Sequence, residues 1–192
     1  MVSLTSSSAA NAFTNLRNVA NITIPEGINN LFSTYQNCVN LKDFPKCGNQ
    51  VGLMTNAYAN CSNLTGVPIC GEKVISLQDA YINCSNLIGP PACGPNVIYM
   101  RNAYYNCHRL FGSPVCENKV NDLSYTYFNC VKLTGSPVCG PNVGNMYCTY
   151  YNCTNLTGSP VCGPNVNSMS STYWNCTNLT GSPNCGPNVT DM

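Results

Sequence analysis

Seven cysteines recur at a constant step of 23 residues: Cys38, Cys61, Cys84, Cys107, Cys130, Cys153 and Cys176. A second series trails the first by nine residues: Cys47, Cys70, Cys93, Cys116, Cys139, Cys162 and Cys185. A fixed period of this size is the signature of a repeat architecture, in which each unit is too small to bury a core alone and is stabilised by its neighbours. The period predicts a solenoid of compact, β-rich turns of chain, with no long helix.

Aligning the units on the leading cysteine exposes further columns. Leu follows at the third position, as in Leu133 and Leu156, and Pro at the seventh, from Pro45 to Pro183. Val stands at the thirteenth (Val143, Val166), Met or Leu at the sixteenth (Met146, Met169), and Tyr at the twentieth (Tyr150, Tyr173). The Leu, Val, Met/Leu and Tyr columns and both cysteine columns, Cys61, Cys84, Cys107, Cys130 and Cys153 among them, are the expected interior. An Asn precedes every leading cysteine, from Asn37 to Asn175, and identical amides stacked in register are expected to pair as a ladder. The run Leu156–Val161 is the candidate for one short parallel strand per unit, because Pro has no N–H to donate and ends a strand. Gly163-Pro164-Asn165 reads as a turn.

At the N-terminus the repeat degenerates. Residues 1–10 read as a flexible tail or attachment segment, 11–37 as a capping unit, and 38–192 as about seven units with the last incomplete. Met1–Phe13 lacks the charged and apolar regions of a secretory signal, and no run approaches the ~20 apolar residues of a membrane helix. Membrane insertion is therefore not expected. Charged residues are 8% of the chain, and none occurs between Leu133 and Thr190. Without a basic patch to follow a phosphate backbone, nucleic acid is not an expected partner.

Two uses of fifteen cysteines stay open: a ladder of small buried apolar residues, or a disulfide framework as in secreted domains. Column neighbours are the expected partners of any bridge. Cys148 stands outside both columns, and its equivalents Ser33, Asn56, Asp79, Asn102, Tyr125 and Ser171 are mostly polar. Cys148 is therefore expected near the surface as the most accessible thiol and the candidate reactive one. No catalytic group breaks the repeat. His108 is the sole histidine, nothing in the sequence orients a cysteine nucleophile beside it, and the acids are scattered. No catalytic, cofactor or metal residue is assigned, since Cys148 and Cys153 lack the second pair that a zinc site requires. The Asn-x-Ser/Thr sequons at Asn60, Asn83, Asn152, Asn155, Asn175 and Asn178 arise from the repeat.

The columns resemble the leucine-rich repeats of the BspA type, which also have 23-residue units. Ile22-Thr23-Ile24-Pro25 followed by Ile28 and Leu31 is the nearest match, and the resemblance spans residues 16–192. It implies a leucine-rich-repeat-like solenoid without chemistry of its own. The implied role is adhesion or macromolecular recognition at the cell surface or outside the cell, with a protein or glycan as partner. The alternative from the sequence is a structural subunit of a virion or filament, with copies of the chain as partner.

Overall fold

A computed structural model describes residues 7–19, 23–46 and 48–192. Ile22 of the best repeat match and Cys47 of the second cysteine column lie outside the described residues. The described residues contain no helix. Instead, each 23-residue unit lies against the next, joined by parallel single-residue β-bridges.

One column of bridges runs the length of the chain: Ser8–Asn30–Leu53–Ser76–Tyr99–Asp122–Asn145–Ser168–Asp191. The register is set in the segment that follows. Met54, Asn56, Tyr58 and Asn60 donate their N–H groups to the carbonyls of Ser76, Gln78, Ala80 and Ile82 in the next unit, at 3.1, 3.0, 2.9 and 2.8 Å. Ala57, Ala59 and Cys61 bond three residues back within their own unit. Alternate peptides thus tie units together while the others close turns, a pattern that neither a helix nor a strand provides. Two residues per unit take left-handed backbone conformations to make this possible. Asn37, Asn60, Asn83, Asn106, Asn129, Asn152 and Asn175 have φ of 58–63°, and the residue four positions earlier has φ of 49–56°. Asn and Asp tolerate this region better than other side chains, and this explains the asparagine column. Its amides form an unbroken ladder in which each Nδ2 donates to the preceding Oδ1 at 2.6–2.9 Å, from Asn15 to Asn175.

Expected and observed positions differ in three places. The run Leu156–Val161 is not a strand; only Val161 bridges, to Val138 and Asn184, because Pro160 supplies no N–H. The stack also begins earlier than expected. Asn29 donates to the Ser7 carbonyl at 2.7 Å, Ser8 bridges Asn30, and Ala9 is buried, so Ser7–Ala10 belong to the stack and not to a tail. Residues 11–37 are likewise not one capping unit. Phe13 and Asn15 occupy the Tyr and Asn columns, 22 residues before Tyr35 and Asn37, and one missing residue hides this match from a strict count.

The interior contains the columns in order. Leu133, Leu156, Val143, Val166, Met146 and Tyr150 are fully buried, as are Cys61, Cys84, Cys107, Cys130 and Cys153, while Met169 is 5% exposed. Tyr173 is partly buried against the same core. The tyrosine rings stack face to face from Tyr35 to Tyr173, with centroids 5.3–5.7 Å apart. At the Gly94 corner no side chain fits without a shift: a Cβ there would lie 2.8 Å from the Gly71 carbonyl oxygen.

Candidate functional site

Each leading cysteine has a defined partner. Cys61, Cys84, Cys107, Cys130 and Cys153 donate Sγ–H to the carbonyls of Tyr35, Tyr58, Tyr81, Tyr104 and Tyr127 in the preceding unit, at 3.0–3.1 Å. The Tyr58 carbonyl also accepts the Cys61 N–H at 3.0 Å, so both of its lone pairs are engaged. Burial pushes Cys61 up to about 12 and raises the others as well. A thiol held protonated in this way is a structural group, not a nucleophile.

Cys148 is 6% exposed, which corrects the expectation of an accessible reactive thiol. Its φ is 52°, as the φ of Ser33, Asn56, Asp79, Asn102, Tyr125 and Ser171 is also positive. The polarity of that column reflects the left-handed backbone, which favours Asn, Asp and Ser, and says nothing of solvent access. Burial raises the Cys148 thiol as well, opposed by a hydrogen bond from Tyr147. The second cysteine column is the more accessible: Cys70, Cys93, Cys116, Cys162 and Cys185 are partly exposed. The fourteen described cysteines are free thiols. His108 is exposed, with Nδ1 3.0 Å from the Asn129 carbonyl oxygen.

The surface is most distinctive in the position after the buried tyrosine. The early units carry Gln36, Ala59 and Ile82 there, and the later ones Tyr105, Phe128, Tyr151 and Trp174. In the later units this position reaches the surface, with Tyr105, Phe128 and Tyr151 half-buried and Trp174 exposed, whereas Ala59 is buried. The four outer rings stack with centroids 4.6, 4.5 and 4.5 Å apart and planes within 12° of parallel. Tyr125 lies beside this strip, 6.0 Å from Phe128 and 6.3 Å from Tyr105, and meets the edge of Tyr147 at 5.1 Å. A hydrogen bond that the Tyr147 hydroxyl donates to Tyr125 pushes Tyr147 up to about 12, so its hydroxyl is neutral at physiological pH. A shallow groove of about 430 Å³ borders the strip, lined by Arg101, Ser124, Tyr125, Asn145, Tyr147 and Ser168 among others.

Stacked rings cover one another's faces and present their edges and hydroxyls. Trp174 is the most open of the four, at 56% exposure. An aromatic surface with hydroxyl and amide neighbours suits adaptable contact with another macromolecule. Sequence columns could not reveal this strip, because its four members are of three residue types and the earlier units carry other residues there. The available signal was the change from Gln36, Ala59 and Ile82 to four successive aromatics. Comparison of the chain with protein-family models, with curated proteins and with solved structures finds no match.

Proposed function

We propose that this chain is a non-enzymatic recognition solenoid of the leucine-rich-repeat kind, similar to BspA-type repeats, and that it binds a protein or glycan through its aromatic strip. The single observation that carries this reading is the stack Tyr105–Phe128–Tyr151–Trp174 at the surface, three rings half-buried and Trp174 exposed, with Tyr125 and exposed Tyr147 beside it. Fully buried aromatics would serve the core. A contiguous array that keeps its ring edges and Trp174 at the surface is suited to contact. The proposed setting is the cell surface or extracellular space.

Trp174 is the only tryptophan and lies on the strip, so its emission reports contact there. Panels of purified glycans and extracellular proteins should include ligands that shift or quench Trp174 emission, and Tyr151→Ser with Tyr147→Ser should abolish retention of those ligands. Retention unchanged in the double variant would overturn the assignment.

A second reading is a structural subunit that packs against its own copies. It is favoured by the stretch without charge from Leu133 to Thr190 and by exposed Phe111, Val138 and Val161, at 52, 53 and 45%. Sedimentation of Val138→Lys/Val161→Lys beside the parent chain separates the two: assembly lost in that variant, with strip binding absent throughout, selects the structural role.

A further inference from the structure

Two columns of the repeat change together in the central units, and neither change involves a residue of the aromatic strip. The position two residues after the leading cysteine is Asn in five units, as at Asn86 and Asn155, and becomes Arg109 and Lys132 in two adjacent ones. Two residues further on, the column opens with Lys42, is Thr in four units, as at Thr134, and becomes Ile88 and Phe111 in two adjacent ones. The four departures meet. Ile88, Arg109, Phe111 and Lys132 line one groove of about 430 Å³, with Thr134 and Asn155. We propose that this groove binds a phosphate monoester carried on an aromatic ring, as a phosphorylated tyrosine of a partner protein presents it.

The two cations do not serve the stack. Asn86 Nδ2 donates to the Ser62 carbonyl of the preceding unit at 2.9 Å. Arg109, in the same column, reaches only the Asn86 Oδ1, at 3.4 Å, and Lys132 has no hydrogen bond or ion pair among the described residues. Leu110 and Leu133 are fully buried, while Arg109, Phe111, Lys132 and Thr134 on either side of them are exposed. Neighbouring units lie about 4.8 Å apart, so two like charges stand side by side and repel. Among the described residues no acidic side chain lines the groove. A phosphate monoester carries about −1.5 to −2 charge at pH 7 and three acceptor oxygens, enough to neutralise both cations. A carboxylate would leave one of them unpaired. The guanidinium fork of Arg109 suits two of those oxygens, and Lys132 acts on the third as a point charge. Phe111, flanked by Ile88, offers the apolar surface on which an aromatic ring stacks. Two cations hold one phosphate and cannot follow a polynucleotide backbone.

Three labelled peptides of one glycine-rich sequence, bearing phosphotyrosine, tyrosine or phosphoserine, should be titrated with the full-length chain by fluorescence polarisation. The phosphotyrosine peptide is expected to bind saturably, and at least about tenfold more tightly than either of the others. Arg109→Asn and Lys132→Asn should each weaken its binding by about tenfold. Phe111→Thr should lower its affinity to that of the phosphoserine peptide. Each variant places in the groove the residue that other units carry in the same column, so the stack should hold. Absence of saturable phosphotyrosine binding, equal binding of the phosphoserine or unphosphorylated peptide, or unchanged affinity in Lys132→Asn would each overturn the site. Lys132→Asn decides the matter even if Phe111→Thr does not fold.

Discussion

The middle units and the C-terminal units solve one backbone problem in two ways. In the middle units, Tyr104 donates its hydroxyl to the Ala92 carbonyl at 2.6 Å and accepts the Ala92 N–H at 3.0 Å. Tyr127 does the same for Val115, at 2.8 and 3.3 Å, and the Tyr81 hydroxyl donates to the Ile69 carbonyl. One unit later that backbone position pairs with its neighbours instead. Cys139 donates to the Val161 carbonyl and Val161 to the Pro137 carbonyl, both at 3.0 Å. The buried Tyr150 hydroxyl has no hydrogen-bond partner among the described residues, and the Tyr173 hydroxyl turns to Cys162. The two regions also differ one position before the tyrosine. Ala57, Ala80 and Ala103 occupy it in the middle, and Thr126, Thr149 and Thr172 towards the C-terminus. The threonine hydroxyls donate to carbonyls of the preceding unit, as Thr149 does to Leu123 at 2.9 Å. A repeat therefore conserves its interior shape while exchanging the bonds that tie its units together.

The comparison can be tested first where the regions are alike. The leading thiols run through both, and burial raises Cys61 to about 12 from an ordinary value near 9. A raised thiol pKa gives stability that is complete below pH 9 and is lost as pH rises towards 12, since the unfolded chain loses protons first. Hydrogen exchange at rising pH should show both regions opening together. Opening at separate pH values would show that the thiol column does not couple them.

Leu133 stands at the junction, fully buried, beside exposed Lys132. Leu133→Asp should destabilise by several kcal/mol, about 3–5, as an unpaired buried charge does. Lys132→Asp should melt within about 0.5 kcal/mol of the parent. Equal melting of the two variants would remove Leu133 from the core.

Asn129→Ala should cost about 2–3 kcal/mol by chemical denaturation, combining a left-handed backbone at φ 60° with loss of an amide from the ladder. Asn129→Gly retains the conformation and should recover about 1 kcal/mol of that loss. If the two variants are equally unstable, the ladder and not the backbone accounts for the column.

Thr149→Val keeps the volume and removes a hydroxyl that donates to the carbonyls of Leu123 and Met146. A loss of about 1–2 kcal/mol is expected, with no counterpart in the middle units, where alanine stands.

The smallest effect separates the regions most sharply. Tyr127→Phe should cost about 1 kcal/mol because it frees both backbone groups of Val115. Tyr150→Phe should be neutral or stabilising, since it removes a buried hydroxyl without a partner. Equal losses in both variants would mean that the two tyrosines serve the same role.

The sequence by itself determined which positions are equivalent. A strict period puts like residues in like places, and units this small hold together by burying their apolar columns, of Leu, Val, Met or Leu, Tyr and Cys, against one another. Leu133, Val143 and Tyr150 were legible for that reason, as was the asparagine ladder. Side-chain direction and backbone handedness were not legible, because a period carries no information about φ. Only the tertiary structure decided that Cys148 turns inward from a left-handed position, that the continuous column of bridges runs through Asn145 and Ser168 while Val161 alone bridges within Leu156–Val161, and that Ser7–Ala10 join the stack. It also decided that Tyr105, Phe128, Tyr151 and Trp174, four separate departures from the repeat, lie face to face on one surface. Contacts across 23 residues arise only when the units are in register, and register is a property of the stack as a whole.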